Sequence, residues 1–188
     1  AAYVITRLEF KGRNIVFILY LSTMMIPITV RLIPSYNLCR NLNMLDTYMG
    51  MILPQVAWSI PFGTFLMRQF YMGIPKQLDE AAKIDGANHF QIFWKILLPN
   101  TKSSMTTLGI YTFISAWNNL IWMLLSVRSE SKWTVTLGIS SICGASVIKQ
   151  PTWNLIMGVI VIGMIPVLIL FFAFQKYFMQ SVAATGIK

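Results

Sequence analysis

The sequence predicts an all-α fold, a polytopic bundle of membrane-crossing helices with about four complete spans and the end of an earlier one. Two facts of composition and two of pattern carry this. Hydrophobic residues make up 56% of the chain and charged residues 11%, whereas about a quarter of an average soluble domain is charged. The apolar residues gather into runs that match a hydrocarbon core about 30 Å thick, which needs roughly 20 residues of helix. The Lys and Arg residues sit at the ends of those runs, as they do beside membrane spans.

Taken in order, Ala1 to Thr6 read as the tail of an earlier helix that leaves the membrane at Arg7, and Arg7-Leu8-Glu9-Phe10-Lys11-Gly12-Arg13 as a short charged connector. The chain opens without a methionine, a basic n-region or a signal cleavage site, so a preceding portion is expected. Complete spans are predicted at 14–33, 48–68, 104–127 and 153–175. The apolar stretch 134–148 is too short to cross and contains Gly138, Ser140, Ser141 and Gly144, so it reads as a partial or interfacial segment. Pro27, Pro54, Pro61 and Pro166 fall inside spans and should kink them.

With four spans, Arg7, Lys11 and Arg13, then Arg68, Lys76, Lys83, Lys95 and Lys102, then Lys176 and Lys188 share one side. The other keeps Arg31, Arg40, Arg128, Lys132 and Lys149. The positive-inside bias puts residues 75–99 and the C-terminus in the cytoplasm. Counting 134–148 as a full span would put the C-terminus outside. No linker, low-complexity tract or repeat divides the chain, so 1–188 is expected to be one membrane domain. Cys39 and Cys143 fall on the outer side, where a disulfide could persist. Nothing in the sequence brings them together, and two free thiols are expected.

Composition and motifs also exclude functions. The net charge of +9 comes from scattered residues, not from a basic stripe with interleaved aromatics, which argues against a nucleic-acid partner. No Gly-x-x-x-x-Gly-Lys-Ser/Thr loop occurs, so this chain is not expected to hydrolyse ATP, and no cofactor is expected on it. The acidic residues Glu9, Asp46, Asp79, Glu80, Asp85 and Glu130 all lie in connectors. That leaves no mid-membrane carboxylate of the kind an ion-driven carrier uses. His89 is the sole histidine, and neither a metal cluster nor a catalytic triad assembles around it; paired catalytic carboxylates are absent too. The chain is therefore not expected to be an enzyme, nor to bind a metal.

The polar stretch 75–99 is the most informative. Pro75 suits a first helical position, and Asp79 and Glu80 favour the positive end of the helix dipole. Asp79 and Lys83 stand i, i+4 in acid-first order, with Leu78, Ala81 and Ala82 on one face. Gly86 supplies a left-handed residue to end the helix. Asn88 and Gln91 have capping-box spacing for a second helix, Phe90 to Leu97, which Pro99 stops. The sequence thus writes helix, sharp turn, helix, with small side chains that let a partner approach and one charge, Glu80, that a partner arginine can hold.

Glu80-Ala81-Ala82, Gly86, Ile96 and Leu98-Pro99 stand at the spacing of the EAA motif, and the chain resembles ABC importer permeases. Arg7-Leu8 with Phe10 to Arg13, Ile74-Pro75-Lys76, Ala116-Trp117-Asn118-Asn119 and Phe174 to Phe178 extend the likeness to the carbohydrate, maltose-type branch over essentially the whole chain. The resemblance implies about six spans, so that a first span and most of a second are missing here. It implies that Glu80, Ala81, Ala82, Gly86, Ile96, Leu98 and Pro99 couple the chain to an ATPase. It further implies a second, non-identical permease, two cytoplasmic ATPase subunits, an extracytoplasmic solute-binding protein, and sugar import across a prokaryotic cytoplasmic membrane by alternating access. Glycerol phosphate or a polyol is the alternative cargo. Asn119 stands where this branch commonly has an acidic residue.

Polar residues within the spans are candidates for the translocation route. Thr112, Ser115, Asn119 and Trp122 follow one another at helical spacing on the third complete span, and Gln55, Ser59 and Phe62 or Gly63 do so on the second. Packing between helices uses the same residue types. Trp58, Trp94, Trp117, Trp133 and Trp153 read as interface anchors or packing residues.

Overall fold

The computed structural model describes residues 1–149 and 153–186, with side-chain surroundings described to 144 and again over 153–175; all its regular structure is helical. Lys149, Lys176 and Lys188 of the charge count, and Lys176 to Phe178 of the tail motif, fall outside the described side chains. The helices are α1 (Ala2–Arg7), α2 (Arg13–Met24), α3 (Ile28–Asn41), α4 (Tyr48–Gly73), α5 (Gln77–Ile84), α6 (His89–Ile92), α7 (Leu98–Asn100), α8 (Lys102–Trp117), α9 (Leu120–Ser126), α10 (Val135–Lys149) and α11 (Trp153–Gly186). A π-helical turn, Phe93–Leu97, joins α6 to α7, and a 3₁₀ turn covers Glu130–Lys132.

Among the described residues, only α4 and the 153–175 part of α11 are single helices long and apolar enough to cross a membrane. The expected span at 14–33 is not one helix. Pro27 is extended, at φ −55 and ψ 142, and starts α3 at 96° to α2. A proline lacks the N–H and its ring crowds the carbonyl four residues back, which favours a break where no other group makes up the lost bond; α2 ends at Met24, before Pro27. Its 12 residues reach about 18 Å, short of a crossing. The expected span 104–127 is also broken, with α8 and α9 meeting at 53° about Asn118-Asn119. By length and composition, the described residues hold up to four crossings if each bent pair is one broken span. The apolar part of α10, Val135–Gly144, is shorter than a span. Pro54, Pro61 and Pro166 lie inside uninterrupted helices.

The chain forms two compact units. Pro27–Ala57 and Ile110–Gln175 make one of them. Within it, Trp122 is fully buried and its indole N–H donates to the Gly50 carbonyl at 3.1 Å. That carbonyl would ordinarily accept from the residue four places on, which is Pro54 and has no N–H. Trp122 thus fills the bond that the proline removes, which is how a helix-internal proline is accommodated where water is scarce. Gly50 is required there, since a Cβ would stand 2.1 Å from the Met44 carbonyl oxygen. Thr47 caps α4, its hydroxyl accepting from the Gly50 N–H at 3.2 Å.

Asp46 closes the same unit. Its carboxylate accepts from the backbone N–H groups of Arg128 and Ser129, both at 3.0 Å, and from the Ser129 hydroxyl, and it pairs with Lys132 at 3.5 Å. The Ser129 hydroxyl bond, then the Ser129 and Arg128 backbone bonds, hold its pKa well below the usual carboxylate range. Asp46 adopts a positive φ of 58°, which Asp tolerates better than most residues.

Ala1–Ile26, Trp58–Gly109 and the stretch from Lys176 make the other unit. Its core is Met67, Tyr71, Ala82, Ile92 and Leu97, with Tyr3, Phe93, Ile96 and Leu108 packed against it. The Arg68 guanidinium lies 4.1 Å over the ring of Phe17, a cation–π contact that joins α2 to α4.

Candidate functional site

The segment between α4 and α8 folds as helix, turn, helix. α5 begins after Lys76, so Pro75 stands just before the helix, with its carbonyl accepting from Leu78 at 3.4 Å. α5 ends in a Schellman arrangement. The Ala87 N–H bonds to the Ala82 carbonyl at 2.9 Å, and the Gly86 N–H to that of Lys83 at 3.0 Å. Gly86 has φ +82, the left-handed conformation expected of it. Ala87 and Ala82, which bracket the turn, both pack in the core cluster.

The second helix opens with a full capping box. The Asn88 side chain accepts from the Gln91 N–H, and the Gln91 side chain from the Asn88 N–H, each at 2.9 Å. Beyond it the structure departs from expectation, because Pro99 does not stop the helix. α6 opens into the π turn and then into α7, which Pro99 helps to begin. The wide turn lies where the proline ring would otherwise meet the Lys95 carbonyl four residues back. The loosened carbonyls find side chains: Asn100 donates to Ile96 at 2.8 Å and Thr101 to Leu97 at 2.9 Å.

The motif residues divide by burial. Ala82 is buried and Ile96 packs against the core; these hold the element in place. Leu98 is half-buried, and Pro99 is exposed. Glu80, Ala81 and Gly86 face outward, so only one alanine of the pair offers its bare backbone to a partner. Ile84, at the tip, is 87% exposed. The motif did not single it out, although an isoleucine beside Asp85-Gly86 at a helix end is a visible signal. Leu78 and Phe90 are exposed as well.

Asp79 does not serve as a solvent-facing partner for Lys83. It is buried and pairs with Arg7, Oδ2 to Nε at 3.1 Å. The Arg7 Nη2 also donates to the Ile74 carbonyl at 2.8 Å, just beyond the end of α4. One turn earlier on α1, the Tyr3 hydroxyl meets His89 Nδ1 at 3.2 Å and its ring lies 5.5 Å from Phe93. Neither contact was legible in sequence, because the partners lie far apart along the chain.

The polar stripes are reorganised. Continuous helical phase ends at Trp117, so Ser115, Asn119 and Trp122 do not share one helical face as expected. Asn119 caps α9, its side chain accepting from the Trp122 N–H at 3.4 Å. Ser115 is exposed on α8. On α4, Gln55 donates back to the Met51 carbonyl at 3.2 Å and Ser59 is half-buried one turn further on.

Bent and straight apolar helices carrying a compact polar helix-turn-helix between two of them describe a multi-pass membrane protein. The chain belongs to the family of binding-protein-dependent transport system inner membrane components, whose pattern matches residues 1–184. It is 38% identical over 182 residues to the sn-glycerol-3-phosphate transport system permease protein UgpE of Yersinia enterocolitica, covering 96% of this chain and 63% of that one. It is 34% identical over 180 residues to the arabinooligosaccharides transport system permease protein AraQ of Bacillus subtilis, covering 96% and 62%. The chain thus spans a little under two thirds of the length of these relatives. Among solved structures, a bacterial ABC transporter involved in the import of the acidic polysaccharide alginate contains a chain that matches with a TM-score of 0.78 at 27% identity, over 94% of this chain and 66% of that one.

Proposed function

We propose that this chain is the permease part of an ATP-binding-cassette importer that moves a sugar or oligosaccharide across a prokaryotic cytoplasmic membrane by alternating access. The observation that carries the reading is the rigid helix-turn-helix element with Glu80, Ala81 and Gly86 on its outer surface, in a chain of a binding-protein-dependent transport family. Its partners are a second permease, two cytoplasmic ATPase subunits and an extracytoplasmic solute-binding protein, within membrane lipid.

In this reading residues 75–99 and the C-terminus lie in the cytoplasm. Glu80, Ala81, Ala82, Gly86, Ile96, Leu98 and Pro99 form the ATPase-coupling element: the exposed members meet the partner, and the packed ones keep the element stiff. ATP-driven closure of the ATPase pair then moves the element as a body, and the attached helices tilt. Gln55, Ser59 and Ser115 belong to the route. Asn119 and Trp122 frame it, by capping α9 and by holding the Gly50 carbonyl.

The name of the Yersinia relative favours a second cargo, glycerol phosphate, moved by the same machinery. Uptake by the assembled importer in proteoliposomes, with ATP inside and a panel of sugars and glycerol phosphate outside, tests both. ATP-dependent uptake of a sugar supports the main reading and uptake of glycerol phosphate alone the second. Uptake that needs an ion gradient and no ATP refutes both.

A further inference from the structure

Tyr3 and Arg7 stand four residues apart on α1, hence on one face, and each holds a different limb of the helix-turn-helix element. Arg7 takes Asp79 of α5 at 3.1 Å and the Ile74 carbonyl at 2.8 Å. Tyr3 takes His89 of α6 at 3.2 Å and lies against Phe93. The side chains of the ion pair are only 4% and 12% exposed. A pair taken out of water to that degree gains little net stability over apolar packing but resists separation, since parting leaves each charge buried alone. The same guanidinium donates through Nη2 to the Ile74 carbonyl while its Nε meets Asp79 as an ion pair, so one side chain ties α5 to the end of α4.

We propose that α1 is a strut that carries the motion of the coupling element to the end of the membrane-length helix α4, with Arg7 and Asp79 as its positioning residues. The inference rests on the coupling reading above and adds the element that receives the motion. Because α1 grips both limbs, the turn at Gly86 cannot flex without moving it. Displacement of α5 is thereby delivered to α1, to the end of α4 at Ile74, and to α6 as one rigid body.

The test uses the assembled importer and reads uptake per ATP hydrolysed. That ratio is unmoved if a variant merely lowers the amount of complex. Arg7→Gln should lower the ratio about threefold or more, in the range by which residues that carry coupling act, and an unchanged ratio overturns the proposal. In a Cys39→Ser, Cys143→Ser background, a short bismaleimide joining Tyr3→Cys to His89→Cys should leave uptake intact, because those helices move together. Uptake abolished by that cross-link overturns the strut even where Arg7→Gln fails to assemble. Failure of the coupling reading is distinct, as Glu80→Lys would then import normally.

Discussion

Gly86 allows the coupling element to be perturbed by a calculable amount. It sits at φ +82 with nothing within 4 Å of where a Cβ would stand, so a small side chain there meets no steric barrier. The cost of Gly86→Ala is then conformational alone, about 1–2 kcal/mol for an L-residue held left-handed. That is a factor of about 5 to 30 in the ratio of formed to opened turn. Gly86→Asn should cost less, because asparagine visits this region more readily. Gly86→Pro is different in kind: its φ is fixed near −65° and it removes the N–H that bonds to Lys83. Amide exchange across 82–92 should therefore quicken about 5- to 30-fold at Ala87 in the alanine variant, less in the asparagine variant. Uptake should persist in both and be lost in the proline variant. Unchanged exchange in Gly86→Ala, or normal uptake in Gly86→Pro, refutes the reasoning.

Trp122→Phe should destabilise the folded chain by about 1–3 kcal/mol by orphaning the Gly50 carbonyl, and Pro54→Ala in the same chain should recover much of that by restoring the helix bond; thermal unfolding of the four variants as a double-mutant cycle checks it. Gly50→Ala forces the backbone at Met44 away from a 2.1 Å contact and should lower the melting temperature by an overpacking cost of about 1–3 kcal/mol. Asp46→Asn should destabilise the chain equally at every pH from 5 to 8. The folded pKa of Asp46 is depressed, so its contribution is present above the unfolded value near 3.9 and fades as pH falls below it, where wild type and variant should converge in a denaturation series. Cysteines introduced at Asn88 and Ser131 should differ in labelling by an impermeant thiol reagent on intact cells, poor at Asn88 and strong at Ser131.

What was legible in the sequence was local. The left-handed end of α5 at Gly86 and the Asn88–Gln91 box depend on residues a few places apart, and both appear as read. Apolar length identified α4 and the 153–175 helix, but it cannot report a bend: the runs 14–33 and 104–127 are long and on average apolar enough to read as spans and yet turn at Pro27 and Asn118-Asn119. Proline alone did not decide where breaks fall. Pro27 interrupts its helix, whereas Pro54 is tolerated because Trp122, distant in sequence, supplies the missing bond. The pairing of Arg7 with Asp79 was hidden for the same reason. Local spacing offered Lys83 as the partner of Asp79, and only tertiary packing replaces it with an arginine from α1.

The central claim is that the exposed face of the α5 element receives work from an ATPase, and uptake per assembled complex in the Glu80→Lys variant tests it most directly. Glu80 is exposed and lies outside the core, so the variant should fold and assemble. Placing a like charge against a complementary surface costs several kcal/mol, so uptake per complex should fall at least about tenfold. Uptake per complex equal to that of the native chain would contradict the account.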